Sequence, residues 1–185
     1  MRQDAEVRPT TPRALVLAGY GLLAWSLAYA APHVYWALGG TVGLSAVAPS
    51  AAALPQWRAI NWAATPVLVL AGLIGAGLVW ARRRGSRRWG LALLLACLAG
   101  CSIAASHGIY GIVDRTLEVA GGDRPRWVFW DLLVFEPWFL IEGVLFGVAG
   151  WCYLTSPADR RRWLAACVVG VGLGLLSGLL GVRFA

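Results

Sequence analysis

Three carboxylic acids lie within one long apolar stretch, residues 127–154, and they are the first candidates for chemistry. They are Asp131, Glu136 and Glu142. A charge near the centre of a bilayer costs about 2.5–3.5 kcal/mol on insertion scales, so acids kept there face protein or water and often mark a functional site. Glu142 lies roughly 20 Å along a helix from either end of the stretch. It therefore needs a polar partner or must be protonated, and the chemistry to expect is the donation or relay of a proton.

Helical spacing predicts how these acids are oriented. At about 100° per residue, Asp131, Trp138 and Glu142 fall within one narrow stripe, provided that Pro137 rotates the helix little. Glu136 is predicted to face another side, the one that carries the glycines of this stretch.

A second polar stripe follows the preceding apolar stretch, residues 89–113. His107, Tyr110, Gly111 and Asp114 occupy positions i, i+3, i+4 and i+7, which share one helical face. The stretch 89–113 ends on the side of the membrane where the stretch 127–154 begins, so the two polar stripes are predicted to lie at the same depth in the membrane. Two other parts of the chain bring further candidates to this side, namely His33, Tyr35, Asn61 and Trp62.

Each candidate also has an ordinary structural explanation. A lone histidine or asparagine near the end of a span, such as His33 or Asn61, commonly forms a hydrogen bond between helices. Asp114 and Asp131 can instead lie at the interface and pair with Arg115, Arg124 or Arg126. Tryptophan is commonly an interface anchor, but that explanation does not easily cover Trp25, Trp62 or Trp138.

Composition predicts an integral membrane protein of the all-α class. The 185 residues are 59% hydrophobic and 14% charged, whereas soluble domains are about 25% charged. The net charge of +7 comes from arginines that cluster at span ends, where membrane topology explains them, so we do not expect nucleic-acid binding. The 16 basic residues are all arginine, which favours a GC-rich, bacterial source and a location in the bacterial cell membrane.

Five spans are predicted, at residues 14–31, 59–81, 89–113, 128–154 and 163–182, with kinks at Pro66 and Pro137. Pro32 should end the first span. Residues 33–47 are too short to cross again and are predicted to be an interfacial or re-entrant segment, broken near Gly39 and Gly40. Residues 1–13 are interpreted as a retained cytoplasmic tail rather than a signal peptide, and residues 14–185 as a single transmembrane domain.

The arginines predict the orientation, because positively charged loops are retained in the cytoplasm. They cluster in the tail and in two loops, residues 82–88 and 160–162. Five spans with the N-terminus inside and the C-terminus outside place all these clusters on the cytoplasmic face. A four-span arrangement breaks this alternation and ranks second.

Glycines at four-residue spacing predict close helix packing, since small residues let backbones approach. They are Gly143 and Gly147 in the fourth span and Gly170, Gly174 and Gly178 in the fifth. Contacts within the chain are expected, and a homodimer face is the alternative.

Several familiar sites are missing from the sequence. The four cysteines form no CxxC motif, and two histidines are too few for a zinc cluster. There is no phosphate-binding glycine loop and no paired-aspartate motif for Mg²⁺. We therefore expect no metal and no cofactor.

Two resemblances add to these observations. The string LAYAAPHVYWALGGTVGL, residues 27–44, together with Trp130-Asp131 and Glu136-Pro137-Trp138, resembles a family of small actinobacterial membrane proteins of unknown function. That resemblance implies a small helical bundle and no particular activity. In size, span number and its mix of aromatic residues with buried acids, the chain also resembles the small bacterial membrane-bound terpene cyclases.

The second resemblance suggests acid-initiated cyclisation or isomerisation of an apolar, prenylated substrate. Such a reaction needs an acid to protonate an alkene or epoxide, a dry cavity, and aromatic faces that stabilise carbocations. Glu142 or Asp131 is the candidate acid, with His107, Tyr110 or Asp114 as its hydrogen-bond partner. The candidate cavity residues are Trp138, Trp62, Tyr20, Trp25 and Tyr35, and the further substrate-binding candidates are Tyr110, His33, Asn61 and Glu136.

Two other classes of function stay open. The first is a non-catalytic subunit or lipid-binding protein whose buried acids pair structurally. The second is a proton or small-solute carrier in which Glu142 and Asp131 form a relay, although the chain lacks the paired discontinuous helices of an inverted repeat.

Overall fold

The computed structural model describes residues 11–44, 56–122 and 126–180, and its regular elements are all helical. The helices are α1 (Arg13–Ala37), α2 (Trp57–Arg84), α3 (Arg87–Ala120), α4 (Arg126–Trp130), α5 (Glu136–Tyr153) and α6 (Pro157–Leu179), with a π-helical segment, Asp131–Phe135, joining α4 to α5. Among the described residues, five helical stretches are long and apolar enough to cross a membrane: α1, α2, α3, Trp127–Tyr153 and α6. The prediction of an all-α chain with five apolar helices is confirmed, and by these criteria the chain is a multi-pass membrane protein.

The first helix is longer than predicted. α1 continues through Pro32 and ends at Ala37, so the prediction that it ends at Pro32 is wrong. Proline is tolerated in apolar helices of this kind because neighbouring helices and local adjustments satisfy the freed backbone groups. The chain turns where Gly39 takes a φ of +98°. The break near this glycine is as predicted, while the interfacial or re-entrant placement stays a prediction, because residues 45–47, like residues 1–10 of the tail, lie outside the described residues.

Glycines set the closest helix contacts. α1 crosses α2 where Gly19 meets Gly75, and a Cβ built on either residue would lie 2.6 Å from the other's carbonyl oxygen. On α5, a Cβ on Gly143 would lie 2.5 Å from the backbone nitrogen of Ala105 in α3. Backbones this close require the absence of a side chain.

The glycine stripe of α6 packs against polar residues of α3 at matching intervals. The facing pairs are Gly170 with Ser102, Gly174 with Ser106, and Gly178 with Tyr110. The predicted contacts within the chain are confirmed for these glycines. The alternative, a homodimer face, stays a prediction.

An apolar core fills one half of the bundle. We call this half's outer boundary the arginine-rich end, since it is where α2 ends and α3 begins, at residues 82–88. The buried residues of the core are Leu15, Ala18, Leu22, Leu78, Val79, Cys97, Cys101, Phe146, Ala149, Trp163 and Cys167. The polar candidates lie on α1, α3 and α5 beyond this core, toward the opposite end.

Candidate functional site

The polar side chains form three layers at increasing distance from the arginine-rich end. At about 1.5 Å per residue along each helix, the first layer lies at about 17–20 Å, the second at about 26–30 Å and the third at roughly 33–42 Å. For comparison, a hydrocarbon core is about 30 Å thick. The layers are Ser26 with Glu142, His107 with Glu136, and Arg115 with Asp131.

Glu142 forms the first layer with a serine of another helix. The Ser26 hydroxyl on α1 donates to Glu142 Oε1 on α5 at 2.7 Å, and Glu142 is only 3% exposed. The predicted partners His107, Tyr110 and Asp114 are therefore wrong for this acid. Sequence reasoning missed Ser26, because a serine in an apolar helix gives no signal of which way it faces.

Glu136 forms the second layer with a histidine. Its Oε2 lies 3.7 Å from Nε2 of His107 on α3, with side chains 10% and 50% exposed respectively. Within the described part of the chain, Glu136 Oε2 has no hydrogen-bond partner. The carboxyl rests on Gly111, where a Cβ would lie 1.9 Å from its carbon. An interior acid thus adjoins an imidazole that opens to the bundle surface.

Aromatic rings pack beside this pair. We define the aromatic cluster as Trp25, Tyr29, Phe135, Trp138 and Phe139. Trp25 stacks on Trp138 with centroids 4.1 Å apart, Tyr29 stacks on Trp138 at 5.5 Å, and Phe139 meets the His107 ring edge-on at 4.5 Å. Since the rings contact one another, they fill the space between α1 and α5.

The cluster was partly predictable. Trp25 and Trp138 were predicted from their distance from span ends, and they lie side by side, with Trp25 Nε1 donating to the Trp138 carbonyl at 3.2 Å. Tyr29 and Phe139 were missed. Tyr29 follows Trp25 by four residues and Phe139 follows Phe135 by four, the spacing that places two rings on one helical face.

Three predicted cavity residues lie elsewhere. Tyr20 is 44% exposed and Trp62 is 51% exposed, so both face outward from the bundle and do not line an interior with the acids. Tyr35 is also exposed, and its hydroxyl accepts a hydrogen bond from the Val42 backbone N–H at 3.3 Å. It organises the turn after α1.

His33 and Asn61 bond to each other. His33 Nδ1 lies 2.8 Å from Asn61 Oδ1, and Asn61 Nδ2 donates to the Trp57 carbonyl at 2.8 Å. The Asn61 oxygen therefore accepts, and His33 carries its proton on Nδ1. This is the ordinary hydrogen bond between helices that such residues predict, here between α1 and α2.

Arg115 organises the third layer. Its Nε lies 3.3 Å from Asp131 Oδ2, one guanidinium nitrogen lies 3.6 Å from Asp114 Oδ2, and the same nitrogen donates to Glu118. The guanidinium carbon stands 5.2 Å from the centroid of the Trp127 ring. Asp114 and Asp131 thus pair with an arginine, as the structural explanation of these residues predicts.

The stripe predicted for Asp131, Trp138 and Glu142 is wrong for Asp131, which faces α3 while the other two face α1. The cause is the π-helical segment, where the Glu136 N–H bonds to the Asp131 carbonyl five residues back. Pro137 offers no N–H to continue an α-helical ladder there. The extra residue in this turn rotates the side chains that precede it, including Asp131, around the helix axis relative to Trp138 and Glu142.

Tyr110 also leaves the predicted stripe of α3. Its ring packs against α6, where a Cβ on Gly178 would lie 3.2 Å from the ring. It therefore faces away from the His107 and Glu136 pair.

Comparison with known proteins identifies the family. Residues 26–146 match the family described as Protein of unknown function (DUF3995). The chain belongs to this family. No curated protein and no solved structure matches the chain.

The DUF3995 region begins at Ser26 and ends at Phe146, so it contains all three polar layers and four of the five residues of the aromatic cluster, with Trp25 one residue before it. It also contains HVYWALGG, residues 33–40, and the expectation of a family of unknown function is confirmed. Helix α6 lies outside it.

Within the DUF3995 region, the second layer has the arrangement best suited to chemistry. Glu142 is closed in by Ser26, and Asp131 is neutralised by Arg115. The described residues hold no group of three or more His, Cys, Asp or Glu placed to bind a metal ion. What remains is an acid and an imidazole at 3.7 Å, one of them reachable from outside.

Proposed function

We propose that the protein is a membrane enzyme that isomerises or cyclises a lipid-soluble, prenylated terpenoid by protonating it. The observation that carries this proposal is the contact between the buried Glu136 carboxyl and the half-exposed His107 imidazole, 3.7 Å apart. An acid and a base must both reach the substrate in such a reaction. The imidazole of this pair opens to the surface of an apolar bundle, where a substrate dissolved in the bilayer arrives, and the Glu136 carboxyl lies directly behind it.

The proposed reaction conserves every atom of the substrate. Protonated Glu136 gives its proton to one carbon of an alkene, and the neighbouring carbon becomes a carbocation. Either the electrons of a second double bond attack the cation, closing a ring, or the cation keeps its skeleton. His107 Nε2 then removes a proton from an adjacent carbon, forming a new double bond. The half-exposed imidazole exchanges this proton with water before it protonates Glu136 for the next turnover.

The aromatic cluster supplies the electrostatic support. Ring faces attract cations, an effect worth about 2 kcal/mol or more when water is excluded. Phe139 contacts His107 directly, and Tyr29 contacts Phe139 at 5.3 Å. A cation formed beside Glu136 would therefore lie near ring faces rather than near water.

Glu142 and Asp131 take supporting roles in this proposal. Glu142 is bound by Ser26 deep in the bundle, and Asp131 is bound by Arg115. Both tie α1 or α3 to the fourth span and so hold Glu136 in position against Gly111. The proposed acid is therefore Glu136, in place of the candidates Glu142 and Asp131.

The orientation and compartment are part of the same proposal. The arginines at residues 82–88 and 160–162 support a cytoplasmic position for that end in a bacterial cell membrane, with the N-terminus inside. The pair of Glu136 and His107 then lies near the outer face.

The test compares two conservative variants on a farnesylated phenol as the probe substrate. We expect Glu136→Gln to lower product formation at least 100-fold at an unchanged protein level, because general acid catalysis contributes about 10²–10⁴-fold. Glu142→Gln is the matched control and should keep at least a third of the turnover per folded protein. Full activity in Glu136→Gln would refute the assignment.

A non-catalytic membrane subunit is the second candidate function. It is favoured by the stacking of Trp25, Tyr29 and Trp138 on one another, which makes them a packed core between helices. For this candidate, the wild type forms no product, and Glu136→Gln lowers the amount of folded protein.

A further inference from the structure

The connection between α2 and α3 borders a half-open cavity at the arginine-rich end, far from the pair of Glu136 and His107. Its volume is about 230 Å³, and its lining residues are Ala81, Arg82, Gly85, Ser86, Arg87 and Tyr153. Pockets for drug-sized ligands are typically about 300–1,000 Å³. This cavity is therefore of a size for a small head group rather than for a prenyl chain.

The charge around the cavity is of one sign. Residues 82–88 read RRRGSRR, five arginines without an acid. Arg82 and Arg87 line the cavity itself. On the neighbouring helix α6, Asp159 lies 3.5 Å from Arg162, so that acid is already paired. The ligand that such a cavity favours is an anion.

Arg82 lacks an acceptor. Its Nε is buried and has no hydrogen-bond partner among the residues that the structure describes. Its guanidinium carbon stands 6.0 Å from the centroid of the Tyr153 ring. A buried donor left without a partner is unfavourable, and more so when it is charged. An oxyanion in the cavity would remove that cost, and guanidinium groups match phosphate oxygens in geometry.

The start of α3 adds donors on the same side. Ser86 precedes this 34-residue helix, and its side chain makes no capping hydrogen bond. The first N–H groups of a helix point outward and carry the positive end of its dipole, which favours an anion. Gly85 takes a left-handed φ of +64° with no atom near its Cβ position, and the Tyr153 hydroxyl lies against Gly90. The backbone and the phenol thus shape a small polar hollow.

We infer that the cavity between Arg82, Arg87, Ser86 and Tyr153 is a binding site for a phosphate group, carried by an anionic phospholipid or free in solution. The site is independent of the proposed enzymatic function, since it shares no residue with the pair of Glu136 and His107. Basic pockets between transmembrane helices commonly hold lipid head groups of this kind. Arg82 holds the phosphate, and Arg87 with the α3 N-terminus completes its coordination.

The test measures thermal unfolding of the purified full chain in detergent. Three additions are titrated separately: phosphatidylglycerol, phosphatidylcholine and inorganic phosphate. The variants are Arg82→Gln and Arg87→Gln, with Arg83→Gln as the control, because it removes the same charge from the same loop but does not line the cavity. If Arg82→Gln fails to fold, Arg87→Gln carries the comparison.

We expect phosphatidylglycerol to raise the unfolding temperature and phosphatidylcholine to do so at least tenfold less effectively. The concentration giving half of the shift should rise at least tenfold in the cavity variants and less than twofold in Arg83→Gln. If only inorganic phosphate raises the unfolding temperature, and the cavity variants weaken that effect, the site is supported and its ligand is a soluble phosphate rather than a lipid. Equal shifts from both lipids, or equal loss in Arg83→Gln, would overturn it, since either result indicates a general effect of lipid or charge.

Discussion

At the residue scale, the three acids of the fourth span differ in their partners. Glu142 receives a hydroxyl, Glu136 adjoins an imidazole, and Asp131 meets a guanidinium. A guanidinium stays charged and fixes its partner as a carboxylate. A hydroxyl cannot accept a proton for onward transfer as readily as an imidazole can. The partner, more than the depth in the membrane, decides which acid is suited to catalysis.

The sequence located these acids and offered Arg115 as one candidate partner of Asp131, but it did not identify the partners of Glu142 and Glu136. Depth along a helix follows from counting residues, so the buried position of Glu142 was predictable. The direction of Ser26, His107 and Arg115 depends on how the helices rotate against each other, which counting does not give. Glu136 was predicted to face the glycine side of its helix, and it does lie against α3, as Gly143 does.

Ser26→Ala tests the first layer. It leaves a buried Glu142 oxygen without its 2.7 Å donor, so we expect the free energy of unfolding to fall by about 1–2 kcal/mol. Ser102→Ala is the control, because its hydroxyl bonds only the Leu98 carbonyl of its own helix. The measurement is equilibrium unfolding in mixed detergent. Equal losses in both variants would show that Glu142 does not depend on Ser26.

Gly111→Ala tests the packing of the Glu136 carboxyl against α3. The new methyl group would overlap the carboxyl, whose carbon lies 1.9 Å from the Cβ position. Because the overlap is with the end of a flexible side chain, we expect the carboxyl to be displaced at a small cost in unfolding free energy, with at least a tenfold fall in turnover. Gly21→Ala is the control, since its Cβ would meet nothing within 4 Å. Unchanged turnover in Gly111→Ala would contradict the placement of Glu136.

At the element scale, helix type and length decide what the periodic pattern can predict. The stripe on the fourth span assumed a regular α-helix, and the π-helical segment Asp131–Phe135 broke that assumption. Pro137 predicted a local distortion of the helix but not whether it would be a kink or a π-helical turn. Pro32 predicted a break in α1, yet that helix continues. Glycine spacing predicted helix contacts more reliably, because the close approach of two backbones does not depend on a side-chain rotamer.

The glycine stripe of α6 provides a matched pair on one helix. A Cβ on Gly174 would lie 2.4 Å from Ser106 Oγ, whereas one on Gly172 would meet nothing within 4 Å. We expect Gly174→Ala to destabilise the protein by about 1–3 kcal/mol. Gly172→Ala should be neutral or stabilise it by up to about 1 kcal/mol through helix propensity. Unfolding midpoints measure both, and the reverse order would contradict the packing of α6 on α3.

At the scale of the whole molecule, the bundle divides into an apolar half and a polar, aromatic half. Hydropathy predicted the five helices, because an apolar stretch of about 20 residues has few alternatives to crossing a membrane. The convergence of polar groups at one end was predicted from alternating span direction. The outward orientation of Tyr20 and Trp62 was not predicted, since an aromatic side chain in an apolar helix can pack equally well against lipid or in the protein core.

Thiol labelling in intact cells tests the proposed orientation. Cysteine placed at Val42, in the exposed turn after α1, should react with a membrane-impermeant maleimide from outside. Cysteine at Arg88, exposed at the start of α3, should react only after permeabilisation. The native cysteines Cys97, Cys101 and Cys167 are buried, and the unsubstituted protein provides the background. If only the cysteine at position 88 were labelled in intact cells, the proposed orientation would be contradicted and the opposite one indicated.

The central claim is that Glu136 gives a proton to an alkene and His107 removes one, and turnover in D₂O tests it most directly. With an alkene-bearing farnesylated phenol, we predict one carbon-bound deuterium in each product molecule, detected as a mass increase of about one dalton, and its loss together with turnover in Glu136→Gln. A rearranged product without carbon-bound deuterium, or one labelled equally by Glu136→Gln, would contradict it.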